Sequence, residues 1–239
     1  MTGQSLILHA HLPALARGRA HEVEGAAAHG FAFFAAGRQS KPVVLISGDE
    51  YAVDPYGAGA FFDVSQLSHI ACRTPRDRLW VMEEALKSKA FGVVIADLDR
   101  AIGLTEGRRL QLAAEAGEAL GLCLIPPSGG APSAETRWRS TPLCGPKNQG
   151  LPKNEAPKNG SKDAFAKGGD STRMRWDLIK NKRGTIGQWE VAWDGATRCL
   201  HLVSGSAGAP VDPQGNGLAR GVVRGYAGGE KRPTSLCPV

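Results

Sequence analysis

The residues with the clearest chemical potential form a glycine turn near the N-terminus. Residues 25–32 read Gly-Ala-Ala-Ala-His-Gly-Phe-Ala, between His21–Glu24 and an alanine- and phenylalanine-rich run ending at Ala36. Two glycines so spaced, between a strand and a helix, are the frame of a G-x-x-x-x-G-K-[ST] phosphate loop. There the backbone wraps the phosphates, the lysine neutralises charge and the hydroxyl holds Mg²⁺. Here Phe31 stands at the lysine position and Ala32 at the hydroxyl position. Gly25, Gly30, Phe31 and Ala32 therefore read as a degenerate nucleotide site without its clamp for phosphoryl transfer. Two acids complete that site: Glu50, just after the apolar run Val43–Ile46, and Asp97, at the end of Phe91–Ala96. The plainer alternative is a helix start with two packing glycines, and acids that mark where strands meet solvent.

A second group of residues could grip phosphates or a partner. Arg137-Trp138-Arg139 sets guanidinium groups around an indole, an arrangement that can stack on bases. It also fits an edge strand with Trp138 buried and the arginines exposed. Of Arg108 and Arg109, either one faces solvent and one lies along the sheet edge, or they pair with an acid such as Asp97 or Asp99 or contact a partner. Lys180 and Lys182 are two further cations. The spacing of the six histidines and five cysteines suggests no metal set, and no G-x-S-x-G elbow occurs. The scattered cysteines, odd in number and without a CxxC pair, are expected to be free thiols.

The elements that must position these groups alternate. His21–Glu24, Val43–Ile46, Phe91–Ala96 and Leu122–Ile125 read as strands, the last three buried on both faces. Ala26–Ala36 reads as a helix. Thr74-Pro75-Arg76-Asp77 is a helix start, with Thr74 as cap and Pro75 in the first turn. A longer helix is expected from Thr105 to about Leu120. Strands alternating with helices predict βαβ units, a mostly parallel sheet and right-handed crossovers. From Arg175 to Val203 apolar and polar residues alternate, which predicts an antiparallel meander. The expected layout is an α/β core over 1–143, a flexible basic insertion over 144–172, strands completing the core over 173–203, and a loose tail over 204–239.

The composition is that of a globular chain, with 42% hydrophobic and 22% charged residues. Its net charge of +6 is concentrated: Arg137–Arg183 holds 12 Lys/Arg against 4 Asp/Glu. Such a segment suits phosphate backbones, an acidic protein face, or a solvated linker. No apolar run is long enough for a transmembrane helix, and no signal peptide is evident. A cytoplasmic, nucleoid-associated protein is the resulting expectation.

In this order, over about residues 15–203, the elements resemble the RecA recombinase core. Within it, the chain most resembles the ImuA family of inducible mutagenesis proteins. The matching segments include Leu79–Leu86, Leu104–Gly117, Thr136–Arg139 and Gln188–Asp194. The resemblance implies a RecA-like fold and a non-catalytic adaptor in SOS-induced translesion synthesis. Such an adaptor bridges an ImuB-like protein and an error-prone replicative-type polymerase, and can modulate RecA. It also implies that Glu50 matches the recombinase's catalytic glutamate and Asp97 its Walker B acid. Lys180 and Lys182 match basic residues that reach a neighbour's nucleotide in a filament. Phe31, Ala32 and Pro126-Pro127 depart from the recombinase pattern, so no cofactor is expected; weak Mg-ATP binding and DNA contact stay open. The alternative is a nucleotide- and DNA-binding RecA-type ATPase or filament protein with an unconventional phosphate site.

Overall fold

The computed structural model describes residues 5–49, 53–127, 129–143, 171–195 and 197–208. Glu50, nearly all of the expected insertion (144–170) and the end of the chain from 209 lie outside them.

After a small β1–β2 pair (Ser5–Leu6, Leu15–Ala16), the chain runs β3 (Arg19–Glu24), α1 (Ala28–Ala36), β4 (Val43–Ser47), the short α2 (Pro55–Gly59) and β5 (Leu67–Ala71). It continues α3 (Pro75–Lys87), β6 (Val93–Asp97), α4 (Leu104–Gly117), β7 (Leu120–Ile125) and β8 (Thr136–Pro142). Then come β9 (Ser171–Asn181), β10 (Gly187–Asp194) and β11 (Cys199–Ala207). The last nine strands form one sheet in the order β11-β10-β9-β8-β3-β7-β6-β4-β5. From β5 to β8 every pair is parallel, and from β8 to β11 every pair is antiparallel. The protein is thus a mixed α/β fold with a large, mostly parallel sheet flanked by helices and extended by an antiparallel run.

Two cores sandwich the sheet. On one face α1 places Phe31 and Phe34 against Trp138, Trp176, Trp189 and Trp193 from the antiparallel strands. On the other, Met82 and Leu86 of α3 and Leu110, Ala113 and Ala114 of α4 pack on Val44, Val94 and Cys123. The crossing from β3 to β4 runs in one direction along the sheet, and those from β5 to β6 and β6 to β7 run back. A right-handed crossover must then change faces, which puts α1 opposite α3 and α4. Helices α3 and α4 approach closely because Gly117 has no side chain: a Cβ there would collide with the Leu86 carbonyl.

The α3 start is as expected: Asp77 donates its N–H to Thr74 Oγ1 at 3.1 Å, and Pro75 occupies the first turn. The α4 boundaries are corrected. Gly103 is the cap residue, its N–H donating to Glu106 Oε2 at 2.9 Å, so Thr105 lies inside the helix. The helix ends at Gly117, where Glu118 turns left-handed, and Leu120 already belongs to β7. The antiparallel run is longer than expected, spanning 171–207, so 204–207 form strand rather than tail. Cys72 and Cys123 are free thiols, whereas Cys199 is disulfide-bonded, which corrects the expectation of free cysteines throughout. No helix among the described residues is long and apolar enough to cross a membrane.

His21 shows how completely the inner strand is satisfied. Its Nε2 lies 2.9 Å from the Ala16 carbonyl and its Nδ1 2.8 Å from Thr136 Oγ1. A carbonyl only accepts, so Nε2 carries the proton and Nδ1 accepts the Thr136 hydroxyl. That hydroxyl oxygen in turn accepts Trp138 Nε1–H at 3.0 Å. Burial pushes the His21 pKa down to about 4, so the ring is neutral.

Candidate functional site

The glycine turn sits at the end of β3, between β7 and β8. These strands come late in the chain, while the next element leads away to β4. Such a reversal is where open α/β sheets bind ligands, beyond the carboxyl ends of the strands. Gly25 adopts φ +99°, and a Cβ there would collide with the carbonyl oxygen of Ser140 on β8. That carbonyl accepts Ala27 N–H at 3.0 Å, and Gly25's own carbonyl accepts Ala28 N–H at 3.0 Å. Two amides that would face a phosphate are thus bonded within the protein. The cradle is narrowed by its neighbouring strand.

Positions 31 and 32 point away from the turn. The Phe31 side chain is fully buried, its ring centroid 4.8 Å from Trp176 and 5.4 Å from Trp138. Ala32 is buried in the same core. Gly30 lies on the first turn of α1 against Met174. The positions where a phosphate loop carries a lysine and a hydroxyl are here committed to the apolar core.

Asp97 does face the turn. His29, on the first turn of α1, brings Nε2 to 3.3 Å from Asp97 Oδ2. Arg78 donates Nη1 to the Asp97 carbonyl at 3.1 Å and pairs through Nη2 with Asp99 at 3.4 Å. At the neighbouring strand end, Ser47 Oγ lies 2.7 Å from His69 Nε2, and Arg73 pairs with Asp49 at 3.3 Å. No motif announced the His29, Arg78, Ser47 and His69 contacts, because their partners are brought together only at the sheet edge.

The basic residues are mostly committed internally. Register pairs Glu22 with Arg137 and Glu24 with Arg139 across β3 and β8. Arg137 Nε meets Glu22 Oε2 at 2.8 Å, and Arg139 Nε meets Glu24 Oε1 at 2.7 Å, with both carboxylates buried. Glu22 also accepts Ala131 N–H at 2.6 Å. Lys180 donates to the carbonyls of Ala131 and Pro132 at 3.0 and 2.6 Å, and Lys182 to that of Ser133 at 2.6 Å. Burial, reinforced by Arg137, holds the Lys180 ammonium below the usual lysine range. These cations pin the 131–133 segment to the sheet. Trp138 is fully buried, which takes its ring out of reach of a base. Arg109 pairs with Glu83 at 2.5 Å. Arg108 is exposed and has no ion pair among the described residues; neither arginine reaches Asp97 or Asp99, which His29 and Arg78 hold. Glu50 lies outside the described residues. Among those described, no three His, Cys, Asp or Glu side chains cluster as a metal site.

Fold and site together define an α/β protein whose glycine turn, at a topological switch of the sheet, is occupied by its own β8 strand. No protein-family model and no curated protein matches the chain. Among solved structures, SulA from Pseudomonas aeruginosa is similar over 44% of this chain and 97% of its own, at 14% identity and a TM-score of 0.38. That likeness is too slight to carry a conclusion.

Proposed function

We propose that this chain is a RecA-like adaptor of the ImuA kind, without ATPase activity. In this reading it serves SOS-induced, error-prone translesion DNA synthesis by holding an ImuB-like protein and an error-prone replicative-type polymerase together. It can also act on RecA. The observation that carries the reading is the closed turn: Ser140's carbonyl holds Ala27 N–H at 3.0 Å, while Phe31 is buried among tryptophans. A nucleotide would have to displace a buried strand carbonyl and would meet neither a lysine nor a hydroxyl on arrival. What the fold keeps is shape, which suits docking.

The test has two arms. Calorimetry with Mg-ATP is expected to give no binding heat, and hydrolysis should stay at background with or without single-stranded DNA. The purified chain is expected to bind an ImuB-like protein stoichiometrically, and damage-induced mutation should depend on its gene. Turnover proportional to protein, surviving contaminant controls, would overturn the reading.

One observation favours the alternative, a nucleotide-using filament protein: Asp97 faces the glycine turn through His29 at 3.3 Å. A micromolar Mg-ATP signal abolished by Asp97→Ala would select it.

A further inference from the structure

Helix α4 carries an unusual outer stripe. Leu104, Arg108 and Leu112 are spaced by four residues along one side of the helix. Leu104 is 46% exposed and Leu112 67%, among the few large apolar side chains left open to solvent. With Gln111 they form one wall of a shallow groove of about 490 Å³, and Pro132, Ser133 and Lys182 form the other. The lining therefore sets exposed leucines beside two cations, Arg108 and Lys182. Among the described residues Arg108 has no ion pair, and the Lys182 ammonium donates to the Ser133 carbonyl. Nearby acids are already used: Glu83 holds Arg109 and Lys87, Glu106 holds Arg100, and Glu115 holds Arg19.

We infer that this groove docks an amphipathic, acidic helical segment of a partner protein, with leucine-like anchors on Leu104 and Leu112 and carboxylates on Arg108 and Lys182. Helix-in-groove recognition uses such a spacing of anchors. Charge selects the occupant. The segment 144–170 carries five lysines against three acids, and 209–239 carries four Lys/Arg against two acids. Neither supplies the acidic surplus that a groove lined by Arg108 and Lys182 attracts, and the occupant assigned here is a partner protein. The inference deepens the adaptor reading and rests on it for the partner's identity. It adds where the partner binds and what it must look like.

The test uses the full chain and a labelled synthetic helix of leucines at positions i, i+4 and i+7 with glutamates between, read by fluorescence anisotropy. A lysine-for-glutamate version and a single-stranded oligonucleotide are the comparisons. The glutamate peptide is expected to bind at least about tenfold more tightly than the lysine version, and less tightly as salt rises. Leu112→Glu and Arg108→Glu alter exposed side chains, so the fold should persist by circular dichroism. Each is expected to weaken the glutamate peptide by about tenfold. Equal affinity for the lysine peptide, or no loss in either variant, would overturn the inference. So would an oligonucleotide that binds through Arg108 where the peptide does not. Purified ImuB-like protein separates the two claims. If it binds wild type and Leu112→Glu alike, the groove fails and the adaptor stands. If it never binds while the peptide behaves as expected, the adaptor fails and the groove stands.

Discussion

A lysine at position 31 would damage this protein rather than create a nucleotide site. Read as sequence, Phe31→Lys rebuilds half of a phosphate loop. In the structure position 31 has no exposed surface and lies between the rings of Trp138 and Trp176, at 5.4 and 4.8 Å. Removing a buried phenylalanine costs about 3–5 kcal/mol. Placing an ammonium in the same space adds a desolvation penalty of about 2 kcal/mol or more, even if the lysine loses its proton. The sum, about 5–7 kcal/mol, compares with a total stability of about 5–15 kcal/mol for a typical domain. With a urea dependence of about 2 kcal/mol per molar, the unfolding midpoint falls by about 2.5 M or more, or the variant does not fold at all. Phe31→Leu, which keeps the site apolar, should cost far less and serves as the control. Urea titrations followed by tryptophan fluorescence, with Mg-ATP calorimetry on any folded Phe31→Lys protein, provide the measurement. A Phe31→Lys variant with an unchanged midpoint, or one that gains ATP binding, would show that residue 31 faces an open loop and would refute the reasoning.

Three more outcomes follow from the same packing. His21 has a folded pKa of about 4 against an unfolded value near 6.5, so the unfolded chain takes up the proton first as pH falls. Its stabilising contribution is complete above pH 6.5 and is lost progressively down to pH 4, by up to about 3 kcal/mol; urea midpoints across that range should flatten in His21→Gln. Arg137→Ala leaves the buried Glu22 carboxylate without its counter-ion and is expected to cost about 3–5 kcal/mol, measured by thermal or chemical unfolding. Replacing Glu22 and Arg137 together by methionine should recover most of that loss. Gly117→Ala forces a methyl against the Leu86 carbonyl and should destabilise by about 1–3 kcal/mol, with a lower unfolding midpoint and no other change of surface.

What could be read from the sequence was local. Val43–Ile46 and Leu122–Ile125 are continuous apolar runs, and both fall within strands buried along their whole length. Thr74, Pro75 and Asp77 specify a helix start within four residues, and the structure places it there. The alternation of Trp189, Val191 and Trp193 fixed an antiparallel strand with one face in the core. Strand β5 went unread because Leu67–Ala71 is a mostly exposed edge strand without a buried face to impose a pattern. Thr105 looked like a cap because its side chain suits one, but Glu106 reaches back to Gly103 instead.

The site divides in the same way. The glycine spacing, and that positions 31 and 32 carry neither a lysine nor a hydroxyl, were plain from residue types alone, since backbone freedom and charge belong to single residues. Which way Phe31 points, and that Ser140 fills the turn, depended on β8 lying beside β3, a pairing between residues some 115 positions apart. The same pairing turned Arg137 and Arg139 from apparent phosphate ligands into partners of Glu22 and Glu24. The sequence by itself determined which residues can be charged, apolar or strained. The tertiary structure decided which of those groups spend their interactions inside the protein, because that choice is set by neighbours brought together only when the sheet closes.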